Sequence, residues 1–262
     1  MNSAAAAGNT ASTTIHTDAQ GLAHGDFGLP TGNGTISAYY AAPAGKQDLP
    51  IVLVVQEIFG VHEHIKDICR RLAKAGYLAV APNLYERQGD ASQYTDIPKL
   101  VSELVAKVPD EQVYADLDAS VEWAAQQGGN VQRVGITGFC WGGRITWMYA
   151  AHSARVKAGV AWYGKVATGH GPLIKQMAVD VAGRVNGPVL GLYGAKDESI
   201  PLADIETMKQ RLAAGNAAAQ ASVFVVYPNS GHAFLADYRP SYVKADAEDG
   251  WKRMLDWFGR YL

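Results

Sequence analysis

With two cysteines in 262 residues, the chain cannot be held together by the several disulfides of a small secreted fold, so Cys69 and Cys140 read as free thiols. Long apolar runs are missing as well: no segment reaches the roughly 18 residues needed to span a bilayer. The opening "MNSAAAAGNTASTT" has neither the basic start nor the leucine-rich core of a secretory signal, and the expectation is a cytoplasmic protein with no membrane partner. Charge of one sign is not in excess, since 23 basic side chains face 25 acidic ones for a net charge of -2. Without a block of about five Lys or Arg, nucleic acid is not an expected partner. There is no GxxxxGK[ST] motif and no GxGxxG after a strand, so nucleotide binding has no support. His62 and His64 in "HEH" are spaced by two, which fits no helical ligand pair. No metal is expected there, and both histidines read as the start of an exposed helix face.

What is present is apolar and alternating. A 48% hydrophobic composition can supply one substantial core, and one domain over residues 23–262 is expected. Residues 1–22, rich in Ala, Ser, Thr and Gly without periodicity, read as a flexible tail. From there "GTISAYYAA" reads as a strand, and the unbroken run "IVLVVQ" as a strand buried on both faces. "HEHIKDICRRLAKAG" places Ile65, Ile68, Cys69 and Leu72 three and four apart, a helix ended by Gly76. "YLAVAP" follows as a strand, then a weaker helix near residues 97–107. In "PDEQVYADLDASVEWAAQQGG" Asp110 suits an N-cap, and Val113, Leu117, Val121 and Ala124 share a face. "VQRVGIT", "VKAGVAWYG", "GPVLGLYG" and "ASVFVVYP" read as further strands, with helices in "IPLADIETMKQRLAAG" and "YVKADAEDGWKRMLDWFGRYL". Repeated strand-helix units predict an α/β fold with a mostly parallel central sheet and helices on both faces. Cys69, Trp123, Trp251 and Trp257 read as core.

The chemistry concentrates where "VGIT" runs into "GFCWGGRITWMYAA". "GFCWG" fits the G-x-nucleophile-x-G elbow, in which a tight strand-to-helix turn lifts the central side chain above the sheet. Cys140 is the candidate nucleophile. A nucleophile needs a base and an orienting acid, and the hydrolase order is nucleophile, acid, histidine. Asp197 in "YGAKDES", after one strand, and His232 in "NSGHAF", after the next, keep that order. Strand ends in a parallel sheet share a rim, so the three are expected to converge. Glu57, at the end of "IVLVVQE", belongs to the same rim and is a candidate for proton exchange with the thiol. The backbone amides of Trp141 and Ile58 are the expected oxyanion hole.

Taken together, "QEIFGVHEHIKDICRRLAKAGYLAVAPNLYERQG", "GFCWGG", "LYGAKD" and "GHAF" resemble the dienelactone hydrolase family over about residues 25–262. The resemblance implies an α/β-hydrolase fold without metal or organic cofactor. It further implies a Cys140–His232–Asp197 triad opening the lactone ring of dienelactones, with Glu57 taking the thiol proton when substrate binds. By the same resemblance Arg87 in "LYERQG" would hold the substrate carboxylate and Tyr163 in "AWYG" would line the pocket. The family's second arginine after "GHAF" is replaced by Leu235, Ala236 and Asp237, with Arg239 later. The expected partner is therefore a small lactone or ester, and the chain is expected to be a monomer or homodimer. A broad carboxylesterase or thioesterase on the same triad is the near alternative. A non-catalytic binding or thiol-sensing module is the alternative from another class.

Overall fold

The computed structural model describes residues 13–169 and 171–262. Among them, one eight-stranded sheet runs in the order β1-β2-β4-β3-β5-β6-β7-β8. The strands are β1 Leu22–Thr31, β2 Gly34–Pro43, β3 Leu49–Val55, β4 Leu78–Pro82, β5 Gly129–Phe139, β6 Val156–Trp162, β7 Val189–Gly194 and β8 Val223–Tyr227. β1 and β2 form an antiparallel hairpin, β2 is antiparallel to β4, and the remaining pairs are parallel. The described helices are α1 Glu63–Lys74, α2 Ile97–Glu103, α3 Asp110–Gln126, α4 Trp141–His152, α5 Ala178–Val181, α6 Leu202–Ala213, α7 Ala217–Gln220 and α8 Lys244–Tyr261. This is the α/β architecture that the strand-helix pattern predicts, arranged as the α/β-hydrolase fold that the resemblance implies.

Residue types explain the layers. Every residue of β4 and all of β3 except Pro50 are buried, because the sheet is covered on both faces and polar alternation has no place there. β6 shows the two-sided cover. A Cβ at Gly159 would lie 3.3 Å from Thr146 of α4, whereas Trp162 packs on Gly250 of α8. Side chains alternate along a strand, so Gly159 and Trp162 face opposite ways and α4 and α8 flank the sheet.

Several expectations change on contact with the fold. β1 was not legible in "LAHGDFGLPT": it is an edge strand in which Leu29 is the one fully buried residue, so it carries no unbroken apolar run. Trp123, Trp251 and Trp257 are half-buried rather than core, and the buried indoles are Trp147 and Trp162. Cys69 is fully buried, as expected. Asp110 is not an N-cap but the first residue of α3, after Pro109, and its carboxylate turns to Arg144. His64 is buried and His62 nearly so, against the reading of an exposed face.

Of the segment read as a tail, residues 1–12 lie outside the described residues. The Thr17 amide donates to Asp67 Oδ1 at 2.6 Å, and Lys74 Nζ reaches Asp18 Oδ1 at 2.7 Å, so this stretch lies along α1.

Candidate active site

Cys140 has φ 56° and ψ -114°, a left-handed backbone that a side chain adopts only when its surroundings force it. The force is steric. A Cβ at Gly138 would stand 2.1 Å from the Gly142 carbonyl, and one at Gly142 would stand 2.4 Å from the Val55 carbonyl. Both glycines let β5, the turn and α4 close up, with the Cys140 amide donating to the Trp162 carbonyl at 3.0 Å. Trp141 is the first residue of α4, so its N–H has no intrahelical acceptor and is available to a ligand oxygen.

The carboxyl ends of parallel strands bring the partners to this turn. Cys140 follows β5, Tyr163 follows β6, Asp197 follows β7 and His232 follows β8. His232 Nδ1 lies 2.6 Å from Asp197 Oδ2. The other Asp197 oxygen accepts from the Ser199 amide at 2.9 Å and its hydroxyl at 2.6 Å. Burial raises the Asp197 pKa, but the bonds from His232 and Ser199 outweigh it and hold the carboxyl below its ordinary range. Burial also disfavours a charged His232. The Cys140 sulfur beside it and the bond to Asp197 prevail, pushing the imidazole up to about 10. A ring held between a sulfur and a carboxylate in this way can take a proton from one while anchored by the other.

Glu57 is buried, and its Oε2 accepts from Tyr238 OH at 2.7 Å and lies 3.0 Å from His62 Nε2. Burial works to raise its pKa, yet the His62 bond and charge, with His64 and Tyr238, bring it down to about 2. Its Oε1 is buried without a hydrogen-bond partner among the described residues. His62 and Tyr238 are residues that sequence reasoning missed. A bridge between Glu57 and Gly60 folds the chain back so that His62 returns on Glu57, a turn that no periodicity announces.

Two cavities open at the thiol. One, of about 220 Å³, is lined by Ile58, Cys140, Trp141, Tyr163 and His232 together with Val105 and Ile174. The other, of about 480 Å³, is lined by Glu57, Ile58, Cys140, Asp197, His232 and Arg239. Tyr163 takes its expected place in the wall, with its ring 5.3 Å from that of His232.

Arg87 does not. Its guanidinium pairs with both oxygens of Asp116, at 2.7 and 3.0 Å, and donates to Thr31 Oγ1 at 2.6 Å. It lines neither cavity, and a guanidinium so engaged has no fork left for a substrate carboxylate. Arg239 stands in the second cavity instead, its guanidinium carbon 5.5 Å from the Phe59 ring centre. Among the described residues no group of His, Cys, Asp and Glu is arranged to hold a metal ion, and no helix is long and apolar enough to cross a membrane.

Residues 36–262 match the Dienelactone hydrolase family. Curated relatives similar to this chain bear the name "Putative carboxymethylenebutenolidase". The one from Methylorubrum extorquens is 58% identical over 252 residues, covering 96% of this chain and 86% of the relative. The one from Escherichia coli K12 is 55% identical over 259 residues, covering 98% and 94%. Among solved structures, "Putative Dienelactone Hydrolase from Klebsiella pneumoniae subsp. pneumoniae MGH 78578" superposes with a TM-score of 0.88 at 56% identity, covering 92% of this chain and 99% of that one. The chain therefore belongs to the dienelactone hydrolase family of α/β-hydrolases, enzymes that act on ester bonds, lactones included.

Proposed function

We propose that this enzyme hydrolyses small lactones and activated esters through a covalent Cys140 thioester. The observation that carries the reading is His232, bonded to Asp197 at 2.6 Å and standing beside a cysteine on a strained elbow. The Cys140 sulfur attacks the carbonyl carbon, forming the C–S bond while the carbonyl oxygen takes the negative charge. The amides of Trp141 and Ile58 receive that oxygen. Collapse breaks the C–O bond, and His232 gives its proton to the leaving oxygen. His232 then takes a proton from water, whose oxygen attacks the thioester carbon; the C–S bond breaks, the acid leaves, and the proton on His232 returns to the sulfur. In a lactone the leaving oxygen stays tethered and can re-attack, so an enol leaving group, which tautomerises away, favours hydrolysis.

His232 is the proton acceptor favoured over Glu57. The bonds from His62 and Tyr238 favour the charged form of the Glu57 carboxylate and make it a weak base. Glu57 instead acts as a fixed negative charge in the cavity wall that Cys140 shares.

A broader carboxylesterase is favoured by one finding, the engagement of Arg87 with Asp116, which leaves Arg239 and Lys196 as the cations of the larger cavity that a substrate carboxylate would meet. Comparing kcat/KM on a carboxylated dienelactone and on neutral p-nitrophenyl acetate separates the two readings. Better turnover of the neutral ester favours the esterase. In both cases Cys140→Ala is expected to lose at least about a thousandfold in kcat. Wild-type rates in that variant would refute Cys140 as the nucleophile, whereas no ester turned over by the wild type would favour a non-catalytic binding or thiol-sensing protein.

A further inference from the structure

The two cavities are arms of one site, since Ile58, Cys140, Ser199 and His232 line both. They differ in chemistry. The larger arm carries Glu57, Lys196, Glu198 and Arg239. Beyond the thiol the smaller arm is walled by Val101, Val105, Ala106, Val108 and Ile174. Its charged groups are already engaged. Arg144, buried, gives 2.8 and 2.7 Å bonds to the two Asp110 oxygens and another of 2.7 Å to the Gln176 carbonyl, and Lys165 is not without a partner.

This arm is bordered by two segments that lie between strands. Val101 belongs to α2, Val105 and Ala106 to the short turn after it, and Ile174 to the connection between β6 and α5. The segments touch: a Cβ at Gly171 would stand 3.1 Å from Ala106 Cβ. Walled largely by branched hydrocarbon, the arm offers a polar or charged group few partners for the water it would lose, while an apolar group loses nothing by entering.

We infer that the smaller arm receives an uncharged alkyl or aryl group, so that the substrates are esters or lactones bearing a hydrocarbon arm longer than a dienelactone offers. The inference rests on Cys140 being the nucleophile, because the thiol fixes where the two arms meet. Each methylene that leaves water for such a wall is worth about three- to fourfold in kcat/KM when fully buried.

The test is kcat/KM on two series of neutral esters. One lengthens the acyl chain from acetate through butyrate to hexanoate with the alcohol fixed, and the other lengthens the alcohol with acetate fixed. At least one series is expected to rise by about tenfold or more, and a terminal hydroxyl on its best member to cost about tenfold. Ala106→Phe, which fills the arm, is expected to lower the hexanoate-to-acetate ratio in the rising series, a ratio that a general loss of folded enzyme leaves unmoved. Both series flat or falling in the wild type, or a hydroxyl-ended chain turned over as well as its methyl-ended counterpart, would overturn the inference. Undiminished hydrolysis by Cys140→Ala would instead overturn the thiol reading beneath it.

Discussion

His62 Nε2 lies 3.0 Å from Glu57 Oε2, the same oxygen that accepts the Tyr238 hydroxyl at 2.7 Å. Both donors hold one side of the carboxylate, which fixes its charge and leaves Oε1 buried without a partner. An unpaired buried oxygen is costly, and here it belongs to a residue that shares a cavity wall with Cys140.

A fixed negative charge near a thiol opposes formation of the thiolate. Replacing Glu57 by Gln keeps the shape and removes the charge, so the rate of Cys140 alkylation by iodoacetamide is expected to reach its plateau at lower pH than in the wild type. Cys69 is fully buried and serves as the unreactive internal comparison. An unchanged profile would leave Glu57 with a structural role alone.

The same carboxylate sets an acid limit on stability. Its folded pKa of about 2 lies below the 4.5 of an unperturbed glutamate, so its contribution is fully present above about pH 4.5 and is lost as pH falls toward 2. Over that window the contribution is on the order of 3 kcal/mol. Urea unfolding at pH 7 and pH 3 is expected to show a smaller acid loss in Glu57→Gln than in the wild type; equal losses would assign acid unfolding to other carboxylates.

Strands buried on both faces, such as β3 and β4, announce themselves as unbroken apolar runs, and the elbow was legible because its glycines and central cysteine have no cheaper explanation. Asp197 and His232 were legible through their position after strands. His62 and Tyr238 were not, because their role depends on a backward turn at Gly60 and on a segment far along the chain folding over it. Arg87 was misplaced for a related reason. Its motif gives the residue but not its partner, and Asp116, on α3, captures the guanidinium before a substrate can. Arg144 sits in the cavity wall with Asp110, a pairing that joins α3 to α4 and that no local spacing reveals.

That pairing supports a further expectation. Arg144 and Asp110 are 5% and 14% exposed, and removing one partner leaves the other charge buried. Asp110→Ala is expected to cost about 3 kcal/mol in urea unfolding, whereas replacing both by apolar side chains of similar size is expected to cost much less. Equal losses in the single and double variants would show that the pair acts through packing rather than charge.

The central claim is that the acyl group passes through the Cys140 sulfur. Quenching the wild-type enzyme with acid within its first turnover of p-nitrophenyl acetate, followed by peptide mapping by mass spectrometry, measures this directly. The account predicts one acetyl group, carried as a thioester on the peptide containing Cys140 and absent when the enzyme is first alkylated there. Steady turnover with no acyl-enzyme on that peptide, or with the acetyl group on another residue, would contradict it.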